Sequence, residues 1–162
     1  MARYYKYHTG GTGMTGPATY DQALGIAVHE GLARLVQGES VTSATQAARD
    51  SFEESIPMDK ESYILIGSLL AGWAKIQLPK LLEQFEVVCV EKDMSVELEQ
   101  DIKYMFRPDM ILRRKKDGKL GVHDFKTVKT WRPDYQIDEY RRNVQMAVNC
   151  IFAGVVLGEE VS

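Results

Sequence analysis

Cysteine is scarce in this chain: two residues in 162, Cys89 and Cys150, too few and too far apart for a disulfide framework or a four-cysteine iron–sulfur cluster. Such usage points to a reducing compartment, and the expectation is a cytoplasmic protein. Long apolar runs are missing as well. The richest, 63–73, is short and interrupted by Gly67, Ser68 and Gly72, so no membrane span is expected. The opening Ala2-Arg-Tyr-Tyr-Lys-Tyr-His8 is polar and aromatic, unlike a secretory leader. There is no Gly-Lys-Ser/Thr phosphate loop, which excludes an ATP-driven motor in this chain. His29-Glu30 begins like a zinc-protease His-Glu-x-x-His motif, but Ala33 stands in the second histidine's place. Gly11-Thr-Gly13-Met-Thr-Gly16 spells a dinucleotide-binding pattern without the strand and helix that pattern requires, and Pro17 follows it. Residues 1–19 read as a flexible loop.

A positive net charge is also lacking: the chain carries −3 with a pI near 5.7. The distribution is uneven. Residues 103–142 hold twelve Lys/Arg against six Asp/Glu, while the remainder holds eight against seventeen. The basic surplus can track phosphates while the rest of the surface stays acidic. At 44% hydrophobic, 162 residues suffice for one core, and one domain over 1–162 is the expected organisation.

The most informative stretch is Phe106-Arg-Pro-Asp109-Met-Ile-Leu-Arg-Arg114, then Asp117-Gly118, then Leu120-Gly-Val-His-Asp124-Phe-Lys126. Asp-Gly between two β-prone runs is a strong hairpin signal. With a two-residue turn, Lys116 faces Lys119 and Asp109 faces Lys126. Asp124 shares the face of Lys126, diagonal to Asp109. Two carboxylates and an ammonium then converge, while Met110, Leu112 and Phe125 point to the opposite, core side. Paired carboxylates with open positions suit Mg²⁺ or Mn²⁺, and a neighbouring lysine can orient a water or stabilise phosphoryl charge. A cross-strand Asp–Lys ion pair on an exposed sheet face is the plainer reading of the same residues.

Helical periodicity runs through 20–37, with Leu24, Val28, Leu32 and Leu35 on one stripe and His29 at its border. Further helices are expected over 43–55 and 60–78, the latter burying Ile64, Leu65, Leu69, Leu70 and Trp73 before Pro79. Strands follow over 86–92, 103–113 and 120–127, then a helix over 135–156 carrying Gln145.

In this order the elements resemble the PD-(D/E)XK nuclease superfamily, in its RecB-type branch with phage exonucleases. The resemblance covers most of the chain and rests on His29-Glu-Gly31, Asp109, Asp124-Phe125-Lys126 and Gln145. It implies an α/β fold, a mixed β-sheet flanked by helices with a restriction-endonuclease-like αβββαβ core, whose last strand is here short or absent. It further implies that His29, Asp109, Asp124 and the backbone carbonyl of Phe125 hold Mg²⁺ or Mn²⁺, that Lys126 positions the attacking water, and that Gln145 contacts the active site or substrate. Glu91 resembles an acidic residue often found on the first strand, and is a candidate site residue; an ordinary hydrated carboxylate is its plainer reading. The family's frequent tyrosine four residues after the glutamine is Asn149 here. Lys129, Trp131, Arg132, Arg113 and Arg141 are the candidates for contact with nucleic acid; the Arg113–Lys119 tip reads equally well as a solvated hairpin end. The function so implied is a metal-dependent DNA exonuclease of recombination or end processing, acting on single- or double-stranded DNA, alone, as a homo-oligomer or with a recombination partner. The alternatives are a catalytically silent nucleic-acid-binding module and a protein-interaction domain.

Overall fold

The computed structural model describes residues 18–99, 102–127 and 144–159. Three helices come first: α1 (Tyr20–Val36), α2 (Val41–Ser55) and α3 (Lys60–Gln84). Each starts on a side-chain cap that satisfies otherwise orphaned amides: Thr19, reciprocated by Gln22 in a capping box, then Ser40 and Asp59. α1 ends where Gly38 takes φ +91, a conformation open to glycine at little cost.

The helices pack through small residues. A side chain at Gly31 would run into Leu70 at 2.4 Å and Ala48 at 3.1 Å, so glycine there lets α1, α2 and α3 close on one another. The stripe that α3 buries is Ser62, Ile66 and Leu70, one residue per turn. The expected buried set is corrected here. Leu70 is buried and Trp73 partly so, but Ile64, Leu65 and Leu69 are exposed at 53%, 39% and 42%. α3 also runs past Pro79 to Gln84, longer than periodicity suggested.

Five strands follow: β1 (Phe85–Val90), β2 (Met94–Glu99), β3 (Ile102–Phe106), β4 (Met110–Arg114) and β5 (Leu120–His123). They form two sheets, one ordered β1-β4-β5 and one pairing β2 with β3; every described pairing is antiparallel. The α/β class therefore holds. The single strand expected over 103–113 does not: Arg107-Pro108-Asp109 divides it, so that β3 and β4 lie in different sheets. Proline offers no amide to a ladder, which makes Pro108 a natural breakpoint. β2, unforeseen, precedes β3 in the chain and pairs with it.

β4 is the central strand and is covered on both sides. Met110 and Leu112 join the core beneath α1, α2 and α3, whereas Ile111 joins a second cluster with Met94, Phe106 and Leu120. That second cluster is closed by Ala153 and Phe152 of α4 (Val144–Leu157). The start of the helix expected over 135–156 lies outside the described residues.

The hairpin is longer in its loop than Asp117-Gly118 alone suggests. Arg113 faces Leu120 and Met110 faces His123, so four residues, 115–118, make the turn. A two-residue turn of the kind expected needs φ > 0 at both central positions. Gly118 takes φ +73, but Asp117 is not among the positive-φ residues, and the Gly118 amide instead reaches back to the Arg114 carbonyl at 2.8 Å. The register therefore slips by two from the expected one. A two-residue slip preserves every side chain's face, so Asp109 and Asp124 keep to the same side of the hairpin. Extending the observed register sets Asp109 opposite Asp124 rather than Lys126.

Candidate metal centre

Three elements meet at the open end of β4. The first is α1, whose Gly25 and His29 are one turn apart and share a face. A side chain at Gly25 would come within 3.2 Å of Thr127 Oγ1, so glycine lets α1 lie close over the exit of β5. His29 is thereby aimed at Asp109, with Nδ1 at 3.5 Å from Oδ2.

The second element is the end of β1. β1 pairs with β4 as far as Val90 with Met110, and the next step places the Glu91 amide on the Asp109 carbonyl at 3.0 Å. Glu91 adopts φ +46, the left-handed region that costs a residue with a Cβ on the order of 1–2 kcal/mol. Such strain persists where the surroundings enforce it. Here the turn out of β1 brings the Glu91 carboxylate alongside His29 and Asp109: donor atoms of all three lie within 4.8 Å of one another.

The third element is the segment leaving β5. Phe125 is buried and its amide donates to Asp109 Oδ2, fixing that carboxylate from the opposite side. Lys126 Nζ lies 2.8 Å from Asp124 Oδ2. Asp124 stands outside the group of three, yet its charge acts on His29, as that of Lys126 acts on Asp109. At the rim, Arg107 Nε holds Glu91 Oε2 at 2.7 Å.

The electrostatics follow from this crowding. The contact with Asp109 raises the proton affinity of His29 above the ordinary imidazole value, burial opposing it in part. Burial pushes Glu91 up, with Arg107 pulling the other way. Burial also works against ionised Asp109, but His29 and the Phe125 amide more than offset it, and its carboxyl is held below the usual range. Two neighbouring carboxyls with proton affinities driven apart are a frequent mark of a working site.

An imidazole nitrogen and two carboxylates form a donor set suited to a hard or borderline divalent cation. Opposite ligands of an octahedral Mg²⁺ or Mn²⁺ stand about 4.2 Å apart. Donors already within 4.8 Å need only small side-chain rotations to close on such an ion. The residues present therefore fit one.

The PD-(D/E)XK nuclease superfamily profile matches residues 2–156. The chain belongs to that superfamily. No curated protein and no solved structure matches it. Membership accounts for the acidic centre and for the α/β architecture: these are nucleases that hydrolyse nucleic acids with divalent metal ions.

Of the residues singled out from sequence, His29 and Asp109 meet directly, with Glu91 as their partner; Asp124 and Lys126 lie beside them as a pair. Gln145 is exposed on the first turn of α4. Asn149, one turn on, is buried at 5% exposure, with its Oδ1 lacking a hydrogen-bond partner among the described residues. Arg113 is gripped by Glu159 through two contacts of 2.7 and 2.9 Å. Lys129, Trp131, Arg132 and Arg141 lie outside the described residues. Arg107 is what sequence reasoning missed. Its place two residues before Asp109, across a proline, was the available signal.

Proposed function

We propose that the protein is a deoxyribonuclease dependent on Mg²⁺ or Mn²⁺, an exonuclease of the RecB and phage type serving recombination or DNA end processing in a bacterial cell or phage-infected host. The observation that carries this reading is the meeting of His29, Glu91 and Asp109 from three separate elements, with the Asp124–Lys126 pair at their side. A protein needing only an exposed cross-strand ion pair has no use for a strained Glu91 in that company.

In this reading His29, Glu91 and Asp109 hold the cation, with Asp124 completing the acidic wall and the Phe125 carbonyl available as a neutral oxygen donor. When bound, the ion supplies Lewis acidity toward the phosphodiester and lowers the pKa of a coordinated water. The remaining work belongs to the chain. Phe125 fixes Asp109 through its amide. Lys126, half exposed and tethered to Asp124, orients the water and balances charge that grows on the phosphoryl oxygens. Arg107 offsets part of the acidic charge that an incoming phosphate would otherwise meet. Gln145 is assigned to substrate contact by its place in the superfamily pattern, and Lys129, Trp131, Arg132 and Arg141 by the basic and aromatic character of the segment that follows Lys126.

The test is a cleavage assay on end-labelled single- and double-stranded DNA. Shortening from an end is expected with Mg²⁺ or Mn²⁺, to be abolished by EDTA and strongly reduced in Lys126→Ala. Cleavage indifferent to both changes removes the assignment.

A further inference from the structure

A cleft of about 730 Å³ opens directly beside the metal centre, walled by Tyr20, Leu24, Leu69, Trp73, Phe125 and Lys126. Two residues join cleft and centre. The Phe125 amide binds Asp109, while its ring meets His29 and Trp73 edge-on, each with centroids 5.8 Å apart. Lys126 lines the cleft and also pairs with Asp124. A phosphodiester held at the centre therefore has this cleft as its neighbour along the strand.

The cleft's chemistry is that of a base rather than of a phosphate. Its wall is mostly aliphatic and aromatic, with Thr127 at the edge as a hydrogen-bonding group. Leu65 and Leu69, left exposed by the way α3 packs, form part of that wall. On the far side of the Trp73–Phe125 pair lies a second cleft of about 550 Å³, which adds Gln77, Lys80 and His123. Lys126 and Lys80 thus flank the aromatic pair, against one acidic wall residue among the described residues, Asp21. Cations on either side of an aromatic pair complement a strand whose phosphates alternate with apolar bases.

We infer that this cleft seats one unpaired nucleobase of the substrate strand next to the scissile phosphodiester, so that the protein acts on single strands and frayed ends in preference to closed duplex. A paired and stacked base has no free face to offer the cleft. The inference rests on the nuclease reading for its link to cleavage, but not for its binding.

Two readouts keep them apart. The first is binding of fluorescent single-stranded oligonucleotides without divalent metal, followed by anisotropy, for intact strands and strands of abasic sugar-phosphate. The second is Mg²⁺-supported cleavage of end-labelled strands carrying a single abasic position. The variants are Trp73→Phe and Leu69→Glu; the latter places a charge at an exposed wall position and spares the core, with circular dichroism reporting the fold. Intact strands are expected to bind about 5- to 150-fold more tightly than abasic ones, the range that loss of a base-stacking contact produces. Leu69→Glu should erase that preference and Trp73→Phe should largely keep it. In the cleavage arm, an abasic residue should slow cutting at the adjoining phosphodiester and not elsewhere. Equal binding of intact and abasic strands, or a preference untouched by Leu69→Glu, overturns the cleft assignment whether or not DNA is cut. Base-dependent binding without cleavage leaves the cleft standing and removes the nuclease reading instead.

Discussion

The two ends of the β4–β5 hairpin carry ionised side chains at similar density and use them in opposite ways. At the tip, Arg114 is clasped by Asp117 through contacts of 2.9 and 2.7 Å, Arg113 by Glu159, and Lys115 Nζ by the Leu82 carbonyl at 2.6 Å. Three of the tip's five cations have thus found an acceptor close by, and the result is a partly neutralised, solvated turn. At the mouth, Glu91 and Asp109 gather around one imidazole, with the Asp124–Lys126 pair beside them, and like charges are held together by a strained backbone and a buried amide. Charge that the fold satisfies internally steadies a loop. Charge that the fold concentrates is left able to do chemistry on something brought in.

Substitutions should separate the two ends sharply. Asp109→Asn is expected to lower cleavage at least about 1000-fold, on the order of 4 kcal/mol of transition-state stabilisation, without lowering thermal stability to match. Cleavage rates beside a melting curve check both halves; parallel losses of activity and stability would make Asp109 a structural residue. Glu91→Gly comes next. It releases the left-handed strain and should raise stability by about 1 kcal/mol, while weakening divalent binding by at least the roughly 100-fold that loss of an outer-shell partner can cost, as chemical denaturation and metal titration would show. A stability gain with metal affinity intact would remove Glu91 from the site.

The pH dependence of the mouth has a defined sign. Because His29 has raised proton affinity, the His29–Asp109 contact contributes fully below about pH 6.5 and is lost as pH rises through the higher folded-state value. Asp109, held low, contributes above about pH 3.9 and loses that contribution as pH falls through its folded-state value. Metal-free protein should thus be steadiest between these limits and decline on the alkaline side of His29's transition. Divalent affinity should move the other way, since a protonated imidazole cannot ligate. His29→Gln should flatten both profiles. The smallest effect belongs to the tip: Arg114→Ala should change stability by well under about 1 kcal/mol, as an exposed pair does.

How much of this was legible in the residues depends on how local the cause was. Hairpin strands, helix periodicity and the shared face of Asp109 and Asp124 follow from alternation along a few residues, and survived even a two-residue error in register. Glu91 was harder to place, because its position depends on β1 pairing with β4 across about twenty residues, which no local pattern specifies. β2 was missed although its signal was local: Met94, Val96 and Leu98 alternate with Ser95, Glu97 and Glu99, the period of a strand. On α3 the apolar residues outnumber the places available in the core. Ile66 and Leu70 took them, and Leu65 and Leu69 were left to line the cleft.

Calorimetric titration of Mn²⁺ into the wild type and into His29→Ala, Glu91→Gln and Asp109→Asn tests the convergence of those three side chains most directly. Saturable binding in the wild type, weakened in each variant and least retained without the Asp109 carboxylate, is the outcome predicted. Affinity that is absent from the wild type, or unmoved by all three substitutions, would contradict it.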